Sequence, residues 1–361
     1  MTIIIEGISI GPDFPPFIVA ELSGNHNQSI DRAKQLVDAA AAAGVQAIKL
    51  QTYTADTMTL NLDSGEFSVE DPDNLWAGYT LHKLYDQAHT PWEWHKELFD
   101  YIYSKGCIPF SSPFDETAVD FLETLSCPMY KIASFEITDL PLIKKVAMTG
   151  KPMIMSTGMA SISEIDEAVN CARDNGCKEL ILLKCTSTYP ASPADTNLLT
   201  IPHLAKMTNT LSGISDHTLG IGVSVAAVAL GAVLIEKHIT LDRNDGGVDS
   251  TFSMEPSEFK DLVIQSNQAW AALGGVTYGG TRNEEKSKMY RRSIYVKRDI
   301  EIGDALSKDN IIIIRPSLGL SPKHFDMVIG QTAINNLKKG HPLSWNDITN
   351  LSLTHTGRRR R

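Results

Sequence analysis

The segment from Leu211 to His238 constrains the fold of this chain more than any other. It reads Leu-Ser-Gly-Ile-Ser-Asp-His, then small apolar residues over 219–232, then Val-Leu-Ile-Glu-Lys-His. Each end has the length and apolar character of a strand, and the middle has the length of one helix. Strand, helix, strand in this order is a βαβ unit, which makes its two strands parallel. His217 and His238 then stand just past the carboxyl ends of two strands that can be neighbours. A histidine at such a place is often a plain hydrogen-bonded surface residue. Here each sits in a polar cluster, Ser215-Asp-His217 and Glu236-Lys-His238, closing an otherwise apolar strand. Two such imidazoles can grip one divalent metal.

The same alternation runs through the preceding residues. Apolar strands are predicted over 17–21, 47–51, 107–111, 129–133, 152–156 and 179–184. Helices are predicted over about 31–43, 91–105, 115–125, 140–148, 161–175, 198–207 and 255–272. Ser29 or Asp31 is placed to cap the first helix, Gly44 to end it, and Ser161 with Glu164 to form a capping box. The long polar connection over 52–90, with Trp76, Tyr79 and Tyr85, is functional or carries short helices of its own. About eight strands, each followed by a helix, over ~260 residues match a (β/α)8 TIM barrel. The strands are apolar throughout, as strands buried on both faces are. A doubly wound open sheet is the alternative, and no Gly-x-Gly-x-x-Gly follows the first strand to support it.

The barrel domain is predicted over 1–273 and a linker over 274–292. From residue 293 the pattern changes to short strands over 293–296, 311–314, 333–337 and 343–345, separated by turns containing Gly303, Gly319 and Gly340. This is a small β domain over 293–350. The remainder, 351–361, ends in a run of four arginines and is expected to be a disordered basic tail.

Composition narrows the classes further. The chain has 361 residues and a net charge of −10, which argues against a general nucleic-acid binder. Five cysteines with no Cys-x-x-Cys pair argue for free thiols in a reducing compartment. No apolar run reaches membrane-spanning length, and the first ten residues lack the basic start and long apolar core of a signal peptide. The expectation is a cytoplasmic protein with no membrane partner.

In a barrel, residues just past the strand carboxyl ends share one site. They include Glu21, Lys49, Gln51, Ser111, Ser112, Lys131, Ser134, Glu136, Ser156, Thr157, Lys184, Ser187, Tyr189, Ser215, His217, Glu236 and His238. Lysines and hydroxyls together suit a phosphate and a carboxylate. The imidazole pair suits a divalent Lewis acid acting on a carbonyl. The residues alone thus suggest a small phosphorylated acid reacting with an aldehyde.

Several motifs carry a family likeness. Ile18-Val-Ala-Glu-Leu-Ser-Gly-Asn-His-Asn27, Ile48-Lys-Leu-Gln-Thr-Tyr53, Ser111-Ser-Pro-Phe114, Tyr130-Lys-Ile-Ala-Ser134, Cys185-Thr-Ser-Thr-Tyr-Pro190, Ser215-Asp-His217 and Glu236-Lys-His238 resemble the sialic acid synthase family, in that family's order, across residues 15–350. The β domain is similar to the family's antifreeze-like (SAF, β-clip) module. The stretches over 52–60, 75–85 and 90–95 are similar to its pseudaminic acid synthase branch.

The resemblance implies condensation of phosphoenolpyruvate with an open-chain amino-hexose, 2,4-diacetamido-2,4,6-trideoxy-L-altrose in the pseudaminate branch. It implies a divalent metal, manganese foremost, with magnesium or cobalt as alternatives. It places His217 and His238 as metal ligands. Lys49, Ser112, Lys131, Ser134, Ser187 and Ser215 fall at phosphoenolpyruvate-binding positions. Glu21, with Lys49 and Lys131, falls at catalytic positions, and Glu136, Tyr189 and Asp249 at sugar-binding ones. Arg315 matches an arginine supplied by a second subunit, which implies a domain-swapped homodimer. Two departures stand out. Ser187 occupies a position that is asparagine in sialate-type members, and Asn244-Asp-Gly-Gly-Val248 replaces a proline-rich segment before Asp249.

Two other readings compete. One is a synthase of sialic or legionaminic acid acting on a different hexose. The other is a non-catalytic carbohydrate- or ice-binding protein in which the β domain is the active part. Cys185 is expected to be a packed thiol, because no histidine lies near it in sequence. Trp92 and Trp94 are expected to pack a helix rather than stack on sugar.

Overall fold

The computed structural model describes residues 1–71 and 75–349. The chain divides into two compact units, Met1–Gly274 and Gly275–Arg361. The basic tail expected over 351–361 lies outside the described residues.

The first unit opens with an antiparallel hairpin of β1 (Ile3–Ile5) and β2 (Ile8–Ile10), absent from the sequence-based expectation. Glu6 and Gly7 form its turn with φ of 48° and 82°. A two-residue loop with both φ positive is the turn that matches strand twist, so Ile-Ile-Ile-Glu-Gly-Ile-Ser-Ile is a hairpin signal. Ile3, Ile5 and Ile10 are buried in the barrel unit's core.

Eight parallel strands then close a barrel: β3 (Phe17–Glu21), β4 (Ala47–Thr52), β5 (Ile108–Pro113), β6 (Tyr130–Ile132), β7 (Met153–Ser156), β8 (Leu180–Cys185), β9 (Leu211–Ser215) and β10 (Leu234–His238). Between and after them come α1 (Ile30–Ala43), α2 (Ala55–Met58), α3 (Leu81–Ala88), α4 (Trp92–Ser104), α5 (Glu116–Thr124), α6 (Leu140–Ala147), α7 (Ile162–Asp174), α8 (Thr200–Thr208), α9 (Gly222–Ala229) and α10 (Pro256–Leu273). The Ser29 cap, the Gly44 end and the Ser161–Glu164 capping box are all present. The expected helix over 219–232 is shorter, Gly222–Ala229, because Gly220 and Gly231 take φ of 72° and 95° at its two ends.

The βαβ unit of Leu211 to His238 is the seam that closes the barrel. Strand β10 pairs in parallel with β9, Glu236 opposite Ser215, and with β3, His238 opposite Glu21. Close approach at this seam requires Gly213. A Cβ there would lie 2.2 Å from the carbonyl oxygen of Leu234. Nearly every barrel-strand residue is buried, so one face meets the barrel interior and the other the helices.

The connection over 52–90 carries α2, α3 and a short 3-10 turn, as its length required. It is tied back to the turn after β3: Gln28 Nε2 donates to the carbonyls of Gln87 and His89, and His26 Nε2 bonds Thr90 Oγ1 at 3.2 Å. Trp92 stacks on Phe121 and Trp94 meets the edge of His26, so both pack rather than face a ligand.

The second unit has its own core, including Ile294, Val296, Ile300, Ile311, Val328 and Leu343. Its ladder is β11 (Ser293–Val296) antiparallel to β12 (Ile311–Ile314), followed by α11 (Phe325–Val328). The strands expected over 333–337 and 343–345 are corrected to isolated bridges, such as Ile300 with Leu337 and Tyr295 with Pro342, and Trp345–Asp347 is a 3-10 turn. A Ser344–Asp347 capping box bends the backbone out of extension there. The expected linker over 274–292 is also not plain: Arg282–Tyr290 is a 3-10 helix, and Ser317 donates to the carbonyls of Lys288 and Met289, which docks it on this unit. Among the described residues no helix is long and apolar enough to cross a membrane.

Candidate active site

Side chains alternate along a strand, so positions i and i+2 face the same way. In β10 this sends Glu236 and His238 into the barrel mouth and Lys237 to the outside. In β4 it sends Lys49 and Gln51 inward. A cavity of about 360 Å³ results. Its charged floor comes from strand ends: Lys49, Lys131, Ser134, Glu136, Ser215, Glu236, His217 and His238, with Tyr189 and Asp249 beside them.

Four charges are packed together here, three of them lining the floor and Glu21 behind it. Lys49 Nζ lies 2.7 Å from Glu21 Oε2 and 3.6 Å from Glu236 Oε1, and Lys131 Nζ lies 3.4 Å from Glu236 Oε1. Ser215 Oγ donates to Glu236 at 3.1 Å, and Lys49 donates to Ser112 Oγ at 3.2 Å. The contact of Lys49 with Glu21 is an ion pair without hydrogen-bond alignment, so neither Glu21 oxygen has a hydrogen-bond partner within the protein. Burial raises the pKa of Glu21, and Lys49 only partly offsets it. Burial pulls the same way on Glu236, but Lys131 and Lys49 outweigh it and hold that carboxyl low. Burial lowers Lys131. On Lys49 it is overcome by Glu21 and Glu236, which raise it.

The histidine rings stand 5.3 Å apart, edge to face. His217 Nδ1 is 3.0 Å from the Thr186 carbonyl, to which only a protonated Nδ1 donates, so Nε2 is the nitrogen a ligand would meet; burial lowers the pKa of this ring, but Cys185 and the Thr186 carbonyl outweigh it and raise it. His238 Nδ1 is buried with no hydrogen-bond partner within the protein, 3.8 Å from Asp249 Oδ2. Burial, then His217, pushes His238 well below the ordinary histidine range and keeps it neutral. An uncharged, unpartnered imidazole facing a second one is the donor set that a divalent cation takes. Among the described residues no group of three or more His, Cys, Asp or Glu side chains forms a metal cluster.

Asp249 is firmly held despite the altered segment before it. Ser23 Oγ donates to Asp249 Oδ2 at 2.5 Å, and the Asp249 backbone N–H donates to Asn25 Oδ1 at 3.2 Å. The turn after β3 thus clamps the acid. Glu136 is raised to about 7 by burial.

Not every expected residue faces the cavity. Ser111 turns to Thr52 Oγ1 at 2.6 Å, and Lys184 Nζ donates to the Cys185 carbonyl at 2.6 Å. Ser187 sits 3.7 Å from Cys185 Sγ. Arg315 belongs to the second unit, just past β12. Three features escaped the sequence. Cys185 is buried, as expected, but its sulfur lies 3.8 Å from His217 Nδ1. Burial pushes that thiol up, yet His217 beside it wins and draws it down to about 6. Phe252 packs against His217, His238 and Tyr189, with ring centroids 5.0–5.9 Å apart. Gly158, at φ 43°, lets the loop after β7 pass so close that a Cβ would lie 2.5 Å from Ser134 Cβ and 2.9 Å from Ser187 Oγ. Only a strand-end glycine in Ser-Thr-Gly marked it in sequence.

The NeuB family model matches residues 36–278, and the SAF domain model residues 291–349. The chain belongs to the NeuB family. Among relatives, it is 43% identical over 335 residues to the pseudaminic acid synthase of Helicobacter pylori, covering 92% of this chain and 98% of that one. It is 40% identical over 332 residues to the pseudaminic acid synthase of Campylobacter jejuni serotype O:2, covering 92% and 96%. The N-acetylneuraminic acid synthetase of Leptospira borgpetersenii, solved with citrate, superposes with a TM-score of 0.71 at 32% identity, covering 81% of this chain and 96% of that one. The likeness read from the motifs is borne out, as is a barrel followed by an SAF domain. As a NeuB chain, this one has its motif residues gathered where that architecture puts a site.

Proposed function

We propose that this chain is a pseudaminic acid synthase. It condenses phosphoenolpyruvate with 2,4-diacetamido-2,4,6-trideoxy-L-altrose and water, giving pseudaminic acid and phosphate. The observation that carries this is chemical. Glu136 Oε2, Ser156 Oγ, Glu236 Oε2 and His238 Nδ1 are buried without hydrogen-bond partners within the protein, and all four residues line the one cavity that also holds Lys49 and Lys131. Buried polar atoms without partners are rare, and their convergence marks a place for a polar ligand. The relatives at 40% and 43% identity are pseudaminic acid synthases, and the substrate pair is the one that the motif resemblance implies.

Lys49 and Lys131, with Ser112, Ser134 and Ser215, hold the phosphate and carboxylate, while Ser187 stands beside Cys185 off the cavity lining. Glu21 and Glu236 balance these two ammonium groups. Burial raises the pKa of Glu21, which makes its carboxylate a stronger base than an exposed one. When water adds at C2 of the enol phosphate, Glu21 is the group that takes its proton. Glu136, Tyr189 and Asp249 orient the sugar, so that its carbonyl carbon meets the enol methylene at near-attack distance.

His217 and His238 fit a divalent cation, manganese foremost and magnesium or cobalt as alternatives. Such an ion supplies Lewis acidity toward the sugar's carbonyl oxygen. The same reading makes the protein a homodimer in which Arg315 of one subunit reaches the sugar of the other. The free thiols fit a cytoplasmic location.

The test is phosphate release from phosphoenolpyruvate with each candidate amino-hexose, with and without chelator, followed by product analysis. Release with the trideoxy-altrose, lost on chelation, is expected. No release with any sugar favours a non-catalytic carbohydrate-binding protein, and release only with another hexose favours a sialic or legionaminic acid synthase.

A further inference from the structure

The cavity has two chemically distinct faces. The floor, from the strand ends, carries the lysines, carboxylates and histidines. A second wall comes from the connection over 52–90, where Met58, Val69, Leu81, Leu84 and Ala88 are apolar, Trp76 is uncharged, and Tyr53 and Tyr85 carry hydroxyls. The polar atom of Trp76 is already used, since Nε1 donates to the Val248 carbonyl at 3.0 Å. The wall is set firmly on the barrel. Thr80 caps α3, Trp92 Nε1 donates to the Tyr53 carbonyl at 3.1 Å, and Gln28 holds the carbonyls of Gln87 and His89. A sugar hydroxyl turned toward the side chains of Met58, Leu81 and Leu84 loses water and finds no partner on them, whereas a methyl group gains apolar contact.

We propose that this wall is the subsite that selects an amino-hexose bearing methyl groups, at a deoxygenated C6 and on its N-acetyl substituents, over a hydroxyl-rich hexose. The proposal rests on the reading of the cavity as the site of condensation with an amino-hexose. The floor recognises what every substrate of this reaction shares, an enol phosphate and a carbonyl. The wall reads what distinguishes one hexose from another. Each methyl-sized group in a fitted apolar pocket discriminates by roughly 10- to 200-fold.

The experiment uses the full chain and two sugars, 2,4-diacetamido-2,4,6-trideoxy-L-altrose and N-acetylmannosamine. Leu81→Asn and Met58→Gln place an amide on the wall, and Leu81→Met and Met58→Leu keep it apolar. The amide variants are expected to lose about tenfold or more in kcat/KM on the trideoxy sugar, through KM, with the KM for phosphoenolpyruvate unchanged. Their preference for the trideoxy sugar falls by the same factor, while the apolar variants keep it. Thermal melts verify folding, and the half-buried Met58 keeps the test available if Leu81→Asn does not fold. Equal losses on both sugars, no loss, or a loss in the phosphoenolpyruvate KM overturns the wall alone. A wild-type protein that turns over only N-acetylmannosamine overturns the parent reading and the wall with it.

Discussion

Lys237 Nζ lies 3.0 Å from Asp216 Oδ2, and this buried pair sits behind the two histidines. Strand alternation places it there. Lys237 precedes His238 and Asp216 precedes His217, so each faces away from its neighbour's cavity. Lys237 also donates to the Thr218 carbonyl at 2.7 Å. Asp216 accepts from Ser224 Oγ at 2.6 Å and from the Thr218 N–H and hydroxyl at 2.9 and 2.7 Å. A buried, hydrogen-bonded charge pair thus ties the ends of β9 and β10 together and sets the spacing of the imidazoles.

Removing one member of such a pair leaves a buried, uncompensated charge, which costs about 3–5 kcal/mol. Lys237→Met is therefore expected to lose that much stability in denaturant unfolding, and Lys237→Met with Asp216→Leu to recover most of it. A loss below 1 kcal/mol in the single variant would contradict the clamp.

Glu136 supplies a pH dependence. Its carboxyl titrates near 7 in the fold against 4.5 as the ordinary value, because burial disfavours the charge. The folded state then binds the proton more tightly, so the contribution to stability is present below about pH 4.5 and is lost as pH rises through about 7. The full gap corresponds to roughly 3 kcal/mol. Glu136→Gln should unfold at higher denaturant than wild type at pH 8 and show little difference at pH 4. Parallel curves at both values would rule out the burial effect.

Gly158→Ala combines an unfavourable φ with a collision. The backbone term alone costs about 1–2 kcal/mol. Its Cβ would press on Ser134 and Ser187. The expected result is a folded protein whose KM for phosphoenolpyruvate rises at least tenfold, while the KM for the sugar moves less. Steady-state kinetics with each substrate varied in turn decides it.

His238→Ala is expected to fold with a near-normal melt and to show negligible turnover with added manganese. Manganese binding, read from the free-ion signal in electron paramagnetic resonance, should weaken in step. Near-normal turnover in this variant removes the metal assignment.

Much of this arrangement is legible in one dimension. Apolar runs alternating with capped helices predict the barrel, and strand-end polar residues predict Lys49, Lys131, Ser134, Glu136, His217 and His238 on one cavity. Both rest on local rules, strand period and helix caps, which neighbouring residues alone enforce. The β domain is less legible. Its chain is held by isolated bridges such as Ala305 with Thr332 and Ala333 with Ile348, which leave no run of alternating residues.

By itself, the sequence determined the order of elements and which strand ends carry charge, because these depend on residues a few positions apart. Only the tertiary structure decided which charges meet. Lys49 faces both Glu21 and Glu236, Cys185 meets His217, Phe252 packs on both histidines, and apolar residues scattered through the polar connection after β4 line the same cavity as the lysines. Neighbouring strands bring Lys49 to Glu21 and Cys185 to His217, and closure of β10 on β3 brings Glu236 within reach of Lys49. No pattern along the chain records the distance between residues that far apart.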